Sequence, residues 1–351
     1  MHLTSLALAG LPALAAAAAT PNCFPYGNAE LPGDLTAPNV KLEDWWCPQS
    51  MAYGFQGFSY PLEDDNCNSY TNSFNRMNQD FARMKKDFGA SIVRMYYPTC
   101  TQPGVFENAI RAAAKNNMAL ILQVWTNFGD GLRLRRLIGN QDVWKQSQQA
   151  IYDTLAKREF AAIAPYVVHS ADWGSEPVGD GMDSGNFVND LGAFRKRMNQ
   201  HHVKAGISED WDRPGSLRNG DGLTDLGRGI KSNSDYAHIH AMPFYHGNNP
   251  EGQAWAYIQQ ATQWVLDHVK LPTMITESPW AWGKTDHNPG KTDVGVAQYT
   301  RYWKTFDDNC EWFKQKNVGW FLHAWQGEDK FDIVKPDGPG YVIPGWRPRK
   351  C

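Results

Sequence analysis

Two carboxylates in this chain of 351 residues stand where a strand-like run stops. The stretch Pro272-Thr273-Met274-Ile275-Thr276 is apolar and β-branched, delivers Glu277, and is broken at once by Ser278-Pro279-Trp280. Tyr166-Val167-Val168-His169-Ser170 likewise leads, through Asp172-Trp173-Gly174-Ser175, to Glu176 and Pro177. One acid at a strand end is as readily half of an ion pair as a catalytic group. Two on the same rim of one barrel meet the needs of glycoside hydrolysis. One carboxyl protonates the leaving oxygen, and the other, ionised, attacks the anomeric carbon or activates water. Retaining enzymes hold the pair about 5–5.5 Å apart and inverting enzymes about 6.5–9.5 Å; spacing along a chain does not choose between them.

The elements that must position these acids alternate regularly. Strand-like runs fall at 52–60, 91–98, 118–125, 166–170, 205–208, 236–245, 272–280 and 318–325. Between them lie helix-like stretches at 70–88, 105–117, 143–164, 186–204, 253–270 and 294–316. The first carries Phe74, Met77, Phe81, Met84 and Phe88 at spacings of three and four, and Gly89 ends it. Residues 210–221 read as loop. Eight such periods over 52–328 predict an α/β chain folded as a single (β/α)8 TIM barrel with helices outside and catalytic groups at the C-terminal strand ends. Residues 20–51, rich in Pro, Asn and Gly, read as an irregular arm packed on the barrel, and 329–351 as a C-terminal tail of the same domain, tied down through Cys351.

Composition narrows the partner. Residues 1–19 form a short Leu/Ala run ending in small residues, which predicts a secretory signal peptide too short to span a bilayer. All six cysteines, Cys23, Cys47, Cys67, Cys100, Cys310 and Cys351, follow it, so three disulfides in an extracellular protein are expected, with fifteen connectivities open. A net charge of −3 with acids and bases interspersed gives no case for nucleic acid or an anionic membrane. Fifteen Trp, 14 Tyr and 16 Phe offer ring faces suited to the C–H faces of sugars, which points to a neutral partner bound by a monomer. His238 and His240 alternate on the sixth strand without a third ligand at a recognisable spacing. No metal or cofactor is therefore expected, and His240 reads as a hydrogen-bonded group at the barrel mouth.

Four short motifs resemble glycoside hydrolase family 17, the secreted endo-β-1,3-glucanases and especially their fungal members. Val93-Arg94-Met95-Tyr96 with Cys100 is similar to the family's second strand. Gly174-Ser175-Glu176 resembles its Gly-Asn-Glu, Ile239-His240 with Pro243-Phe244-Tyr245 its sixth strand, and Thr276-Glu277-Ser278-Pro279-Trp280 its Glu-Thr-Gly-Trp-Pro. The likeness runs from about residue 52 to 327. It departs at Ser175, where the family has an asparagine whose amide reaches the sugar 2-hydroxyl; a serine is shorter.

The resemblance implies a divergent family member. Glu277 would be the nucleophile that forms a covalent glycosyl-enzyme and Glu176 the general acid/base, in a retaining hydrolase that cleaves β-1,3-glucan internally. It also implies substrate-binding roles. Arg94 would hydrogen-bond the nucleophile and keep its pKa low by its charge, beside Tyr96, Ser175 and His240. Tyr245 would touch Glu277 or a sugar hydroxyl, and Trp325 would floor the cleaved residue. Trp125, Trp173, Trp280 and Trp282, at strand ends or beyond, are the subsite candidates, whereas Trp144 and Trp264 sit in helices. Gly327-Glu328-Asp329 is left outside the site. The expected partner is a β-glucan oligo- or polysaccharide, met outside the cell or in a cell wall. Two alternatives keep the same residues: a β-1,3-glucanosyltransferase that passes the intermediate to another sugar, and a catalytically weak glucan-binding wall protein.

Overall fold

A computed structural model describes residues 21–126, 143–179, 186–246 and 249–349. The expected leader at 1–19 and Cys351 lie outside the described residues. Eight strands, β1 (Gly54–Pro61), β2 (Ile92–Tyr96), β3 (Ala119–Gln123), β4 (Val168–Ser175), β5 (Lys204–Glu209), β6 (Ala237–His240), β7 (Thr273–Glu277) and β8 (Gly319–Leu322), pair in parallel and close into a barrel in which β1 meets β8. The expected (β/α)8 barrel is the architecture observed. The strands are buried along nearly all of their length, as parallel strands covered by helices must be.

The helices differ from the sequence reading at identifiable residues. Helix α1 (Phe74–Arg83) starts where Ser73 Oγ accepts the Arg76 N–H at 3.3 Å, and its apolar stripe runs on through a π turn, Met84–Phe88, into left-handed Gly89. Helix α2 is Pro103–Lys115. The run at 143–164 is not one helix: α3 (Val143–Ala156) stops because Lys157 is extended, and two single turns follow. After α4 (Phe187–Gln200), the stretch read as loop holds a two-residue hairpin, Arg218–Asn219 with Gly222–Leu223. It leads into α5 (Asp225–Ser232), capped by Thr224 Oγ1, which accepts the Gly227 N–H at 3.0 Å. Helix α6 is Glu251–His268. The run at 294–316 divides at Asn309 into α7 (Val296–Asp308) and α8 (Cys310–Lys316).

The arm crosses the N-terminal end of the barrel. Cys23–Cys47 closes it on itself, Trp45 Nε1 donates to Tyr166 O at 2.7 Å, Trp46 Nε1 to Pro165 O at 3.1 Å, and Gln49 Nε2 to Asn317 O at 3.1 Å. Those carbonyls lie just before β4 and β8, so the arm leaves the opposite rim uncovered. On that rim, Cys67–Cys100 ties the segments that follow β1 and β2. Cys310 is disulfide-bonded as well. The tail is pinned on α7 by Trp346 Nε1, which donates to Asp307 Oδ2 at 2.6 Å.

Candidate active site

Strand register sets the level of the site. Ser59 pairs with Arg94, Ser175 with Ser208, and His240 with Glu277. Irregularities between Asp172 and Ser175 and between Ile239 and His240 re-aim the side chains just below the rim. Fully buried Arg94 gathers these strands to the barrel axis. It donates to Ser59 Oγ at 3.2 Å, to Ser175 Oγ at 3.2 Å and to Ser208 Oγ at 3.0 Å. Its charge faces Asp172 Oδ2 at 3.7 Å and Glu277 Oε2 at 3.8 Å. The guanidinium thus meets Glu277 as an ion pair rather than through the hydrogen bond the sequence suggested.

Glu277 ends β7, 7 % exposed, and its Oε2 makes no hydrogen bond among the described residues. Glu176 follows β4 at φ 48°, a left-handed backbone that turns its carboxyl back over the mouth. Gly174, at φ 96°, permits that turn: a Cβ there would lie 2.4 Å from Thr126 Oγ1. His240 stands between the acids, with Nδ1 2.8 Å from Glu176 Oε1 and Nε2 3.6 Å from Glu277 Oε2 and 2.7 Å from Ser208 Oγ. One oxygen of each carboxyl and one ring nitrogen of His240 all lie within 4.8 Å of one another.

Three such donors could hold a metal ion, but the Arg94 guanidinium, 3.5 Å from His240 Nε2 as well, competes for the same place with its own positive charge. The group is better matched to moving protons. Burial by itself would raise Glu176 and depress His240, yet each is overruled by its neighbours. The His240 hydrogen bond and charge, then Arg213, hold the Glu176 carboxyl below its ordinary value. The charge of Glu277 and the contact with Glu176 lift the His240 imidazole above its own. Around them opens a cleft of about 280 Å³ lined by Tyr96, Tyr97, Met242, Tyr245 and His246 besides the acids, Ser175 and Arg213.

Sequence-predicted residues divide sharply here. Glu176, Glu277, Arg94, Ser175, His240, Tyr96 and Tyr245 come together, with Tyr245 37 % exposed over the mouth. The tryptophans mostly do not. Trp173 is fully buried against Trp144 and Phe187, because it alternates outward from Asp172 into the helical layer. Trp280 is fully buried among Phe244, Tyr302 and Lys291. Trp325 packs outside β1 on Phe58, Phe88 and Arg83, so it leaves no face as a floor for sugar. Trp125 stands one row behind the cleft, edge-on to Tyr97 at 4.0 Å, and half-buried Trp282 lies under Lys330.

Sequence reasoning missed Arg213, whose Nη2 donates to Glu176 Oε2 at 3.2 Å, and the buried acid Glu209. It also set aside Glu328, which lies 3.8 Å from His323 Nε2 and whose carboxyl is pushed up to about 7 by burial and then by the charges of Glu277 and Asp332. His323 directly after strand eight, followed by Glu328, was the available signal.

No protein-family model matches the sequence. No curated protein matches it either. Solved structures do. An active-site mutant of Rhizomucor miehei β-1,3-glucanosyltransferase, in complex with laminaritriose, superposes with a TM-score of 0.63 at 17% identity, over 84% of this chain and 97% of that one. The fold is shared. The glycoside hydrolase family 17 β-1,3-glucanosyltransferase from Rhizomucor miehei matches at a TM-score of 0.56 and 16% identity over 81% and 90%. CJP38, a β-1,3-glucanase and allergen of Cryptomeria japonica pollen, matches at 0.53 and 16% over 83% and 98%. Identity this low establishes a common barrel and leaves chemistry to be argued from the site.

Proposed function

We propose that the protein is a secreted retaining glycoside hydrolase of the family 17 type that acts on β-1,3-glucan, with Glu277 as nucleophile and Glu176 as general acid/base. The observation that carries this reading is the approach of the two carboxyls, within 4.8 Å atom to atom across the barrel mouth, with His240 shared between them. So close an approach of the two carboxyls suits the shorter spacing of retaining enzymes. Glu277 is the deeper group, faces the Arg94 cation and presents an oxygen without a hydrogen bond, as a nucleophile requires. Glu176 lies nearer the opening, with His240 Nδ1 at hydrogen-bonding distance, as a group that gives and takes a proton requires. Esterification of Glu277 removes its negative charge. That loss lowers the proton affinity of His240 and Glu176 and readies Glu176 to act as base in the second step.

The choice of β-1,3-glucan is supported by the family motifs around Arg94, Glu176 and Glu277, with which the shared barrel is consistent. The disulfides Cys23–Cys47 and Cys67–Cys100 suit an oxidising compartment. Among the described residues no helix is long and apolar enough to cross a membrane. A second reading, transfer of the glucosyl group to another sugar, is favoured by the two glucanosyltransferases among the similar structures. The test is laminarin cleavage with product sizing, beside β-1,4-, β-1,6- and mixed-linkage glucans, and NMR of the first-formed anomer. Glu277→Gln and Glu176→Gln should each abolish sugar release with the unfolding transition intact. Retained activity in either, or an inverted anomer, overturns the assignment. Products longer than the substrate establish transfer, and binding of laminarin without turnover makes the protein a wall-glucan binder.

A further inference from the structure

Both oxygens of Glu176 are engaged by nitrogen. Oε1 is 2.8 Å from His240 Nδ1, and Oε2 accepts from Arg213 Nη2 at 3.2 Å. An acid that serves a leaving group has to carry its proton on an oxygen turned towards the substrate. A guanidinium only donates, so its hold on Oε2 favours the ionised carboxylate over the protonated acid. Arg213 has a second anchor, Asp210 Oδ2, to which its Nε donates at 3.0 Å. Its plane lies against the backbone of Gly179, where a Cβ would come within 2.4 Å of Nη1. The side chain is therefore held beside Glu176 from two directions without depending on it.

We propose that Arg213 is a positioning residue for the acid/base: anchored on Asp210, it favours the ionised form of Glu176 through Oε2 and so sets how readily Glu176 takes up the proton it gives to a leaving group. This rests on the glycosidase reading above. Every charged neighbour bears on the balance. From β6 and the segment after it, His240 and His246 face Glu176; Glu277 faces it from β7. From the end of β5, Glu209 and Asp210 oppose a further negative charge there. Glu209 is pushed up to about 8, first by burial and then by the charge of Glu176, and Asp212 to about 7 by burial and Asp210. Arg213 is thus the cation that, after His240, favours Glu176 as the ionised member of a crowded acidic group. Its hold on Oε2 also favours the base form needed when the glycosyl-enzyme is discharged.

The experiment pairs two readouts in wild type, Arg213→Gln, Arg213→Lys and Gly179→Ala. The first is the pH profile of kcat/KM on laminarin. The second is a carboxyl ¹³C NMR titration, with the Glu176 resonance assigned by its loss in Glu176→Gln. An opposite charge at this range lowers a carboxyl by about one pH unit or more. Its removal in Arg213→Gln should raise the Glu176 titration and move the alkaline limb up by about that much. Arg213→Lys should keep both near wild type. Gly179→Ala, which displaces the guanidinium without deleting it, should shift both in the same direction by less. Unchanged titration and limb in Arg213→Gln and Gly179→Ala overturn the proposal, as does a uniform fall in activity at every pH. A shifted titration in a protein that never cleaves laminarin overturns the catalytic role by removing the reading it rests on, while the ion pair itself stands.

Discussion

The inside of the barrel and the layer between its strands and helices are equally dry and are held by opposite means. In the lumen Arg94 satisfies serines from β1, β4 and β5 and balances Asp172 and Glu277, while His238 Nδ1 meets Asp172 at 2.7 Å. Outside, Trp173 packs on Trp144 and Phe187, Trp320 on Trp303 and Phe306, and Trp325 on Phe58. The outer layer is stabilised by area and dispersion, which tolerate changes of partner. The lumen is stabilised by matched charges and hydrogen bonds, in which each group lost strands another. Aromatic abundance therefore belongs to the shell and the candidate chemistry to the lumen.

Arg94→Met should break the contrast most severely: it leaves Asp172 and Glu277 unbalanced and should cost about 4 kcal/mol in denaturant unfolding, with activity lost. Stability equal to wild type would mean that the lumen does not depend on its charges. In the shell, Trp325→Ala should cost about 3 kcal/mol by opening a cavity, with KM for laminarin unchanged. A raised KM with unaltered stability would put that ring in a sugar subsite and dissolve the distinction. Buried Glu209 offers a smaller, pH-resolved test. Its folded value of about 8 lies above the ordinary 4.5, so the folded state keeps a proton that the unfolded chain gives up. The stability it contributes is complete below 4.5 and falls away as pH rises through 8, and Glu209→Gln should flatten the decline measured by thermal unfolding between pH 5 and 8. The least effect on folding is expected from Tyr245→Ala, within about 0.5 kcal/mol, with a several-fold rise in KM as its signature.

How much of this was legible depended on whether a feature is local. The alternation that makes the barrel is written in consecutive residues, and so is the arrival of Glu277 at the end of β7, where a β-branched run meets Ser278-Pro279. Helix α5 escaped notice because Asp225–Ser232 is two turns long, contains Gly227 and Gly229, and announces itself mainly through its Thr224 cap. The break at Asn309 was hidden because buried Phe306 and Phe313 continue the apolar pattern across it. Trp173 and Trp325 were misread since a strand end points some side chains into the lumen and others outward, and the irregularity between Asp172 and Ser175 shifts which is which. Arg213 lies in an aperiodic loop. Its meeting with Glu176, from across β5, is a property of the closed barrel and of no stretch of chain.

The arm that seals the N-terminal end of the barrel also determines how the molecule presents itself when attached to something. Trp45, Trp46 and Gln49 hold it against carbonyls that precede β4 and β8, at the pole away from Glu176 and Glu277. A tag, fusion or solid support joined ahead of residue 21 would therefore leave the mouth that holds Glu176 and Glu277 turned outward. Particles coated in that way should meet an insoluble glucan with their clefts already facing it.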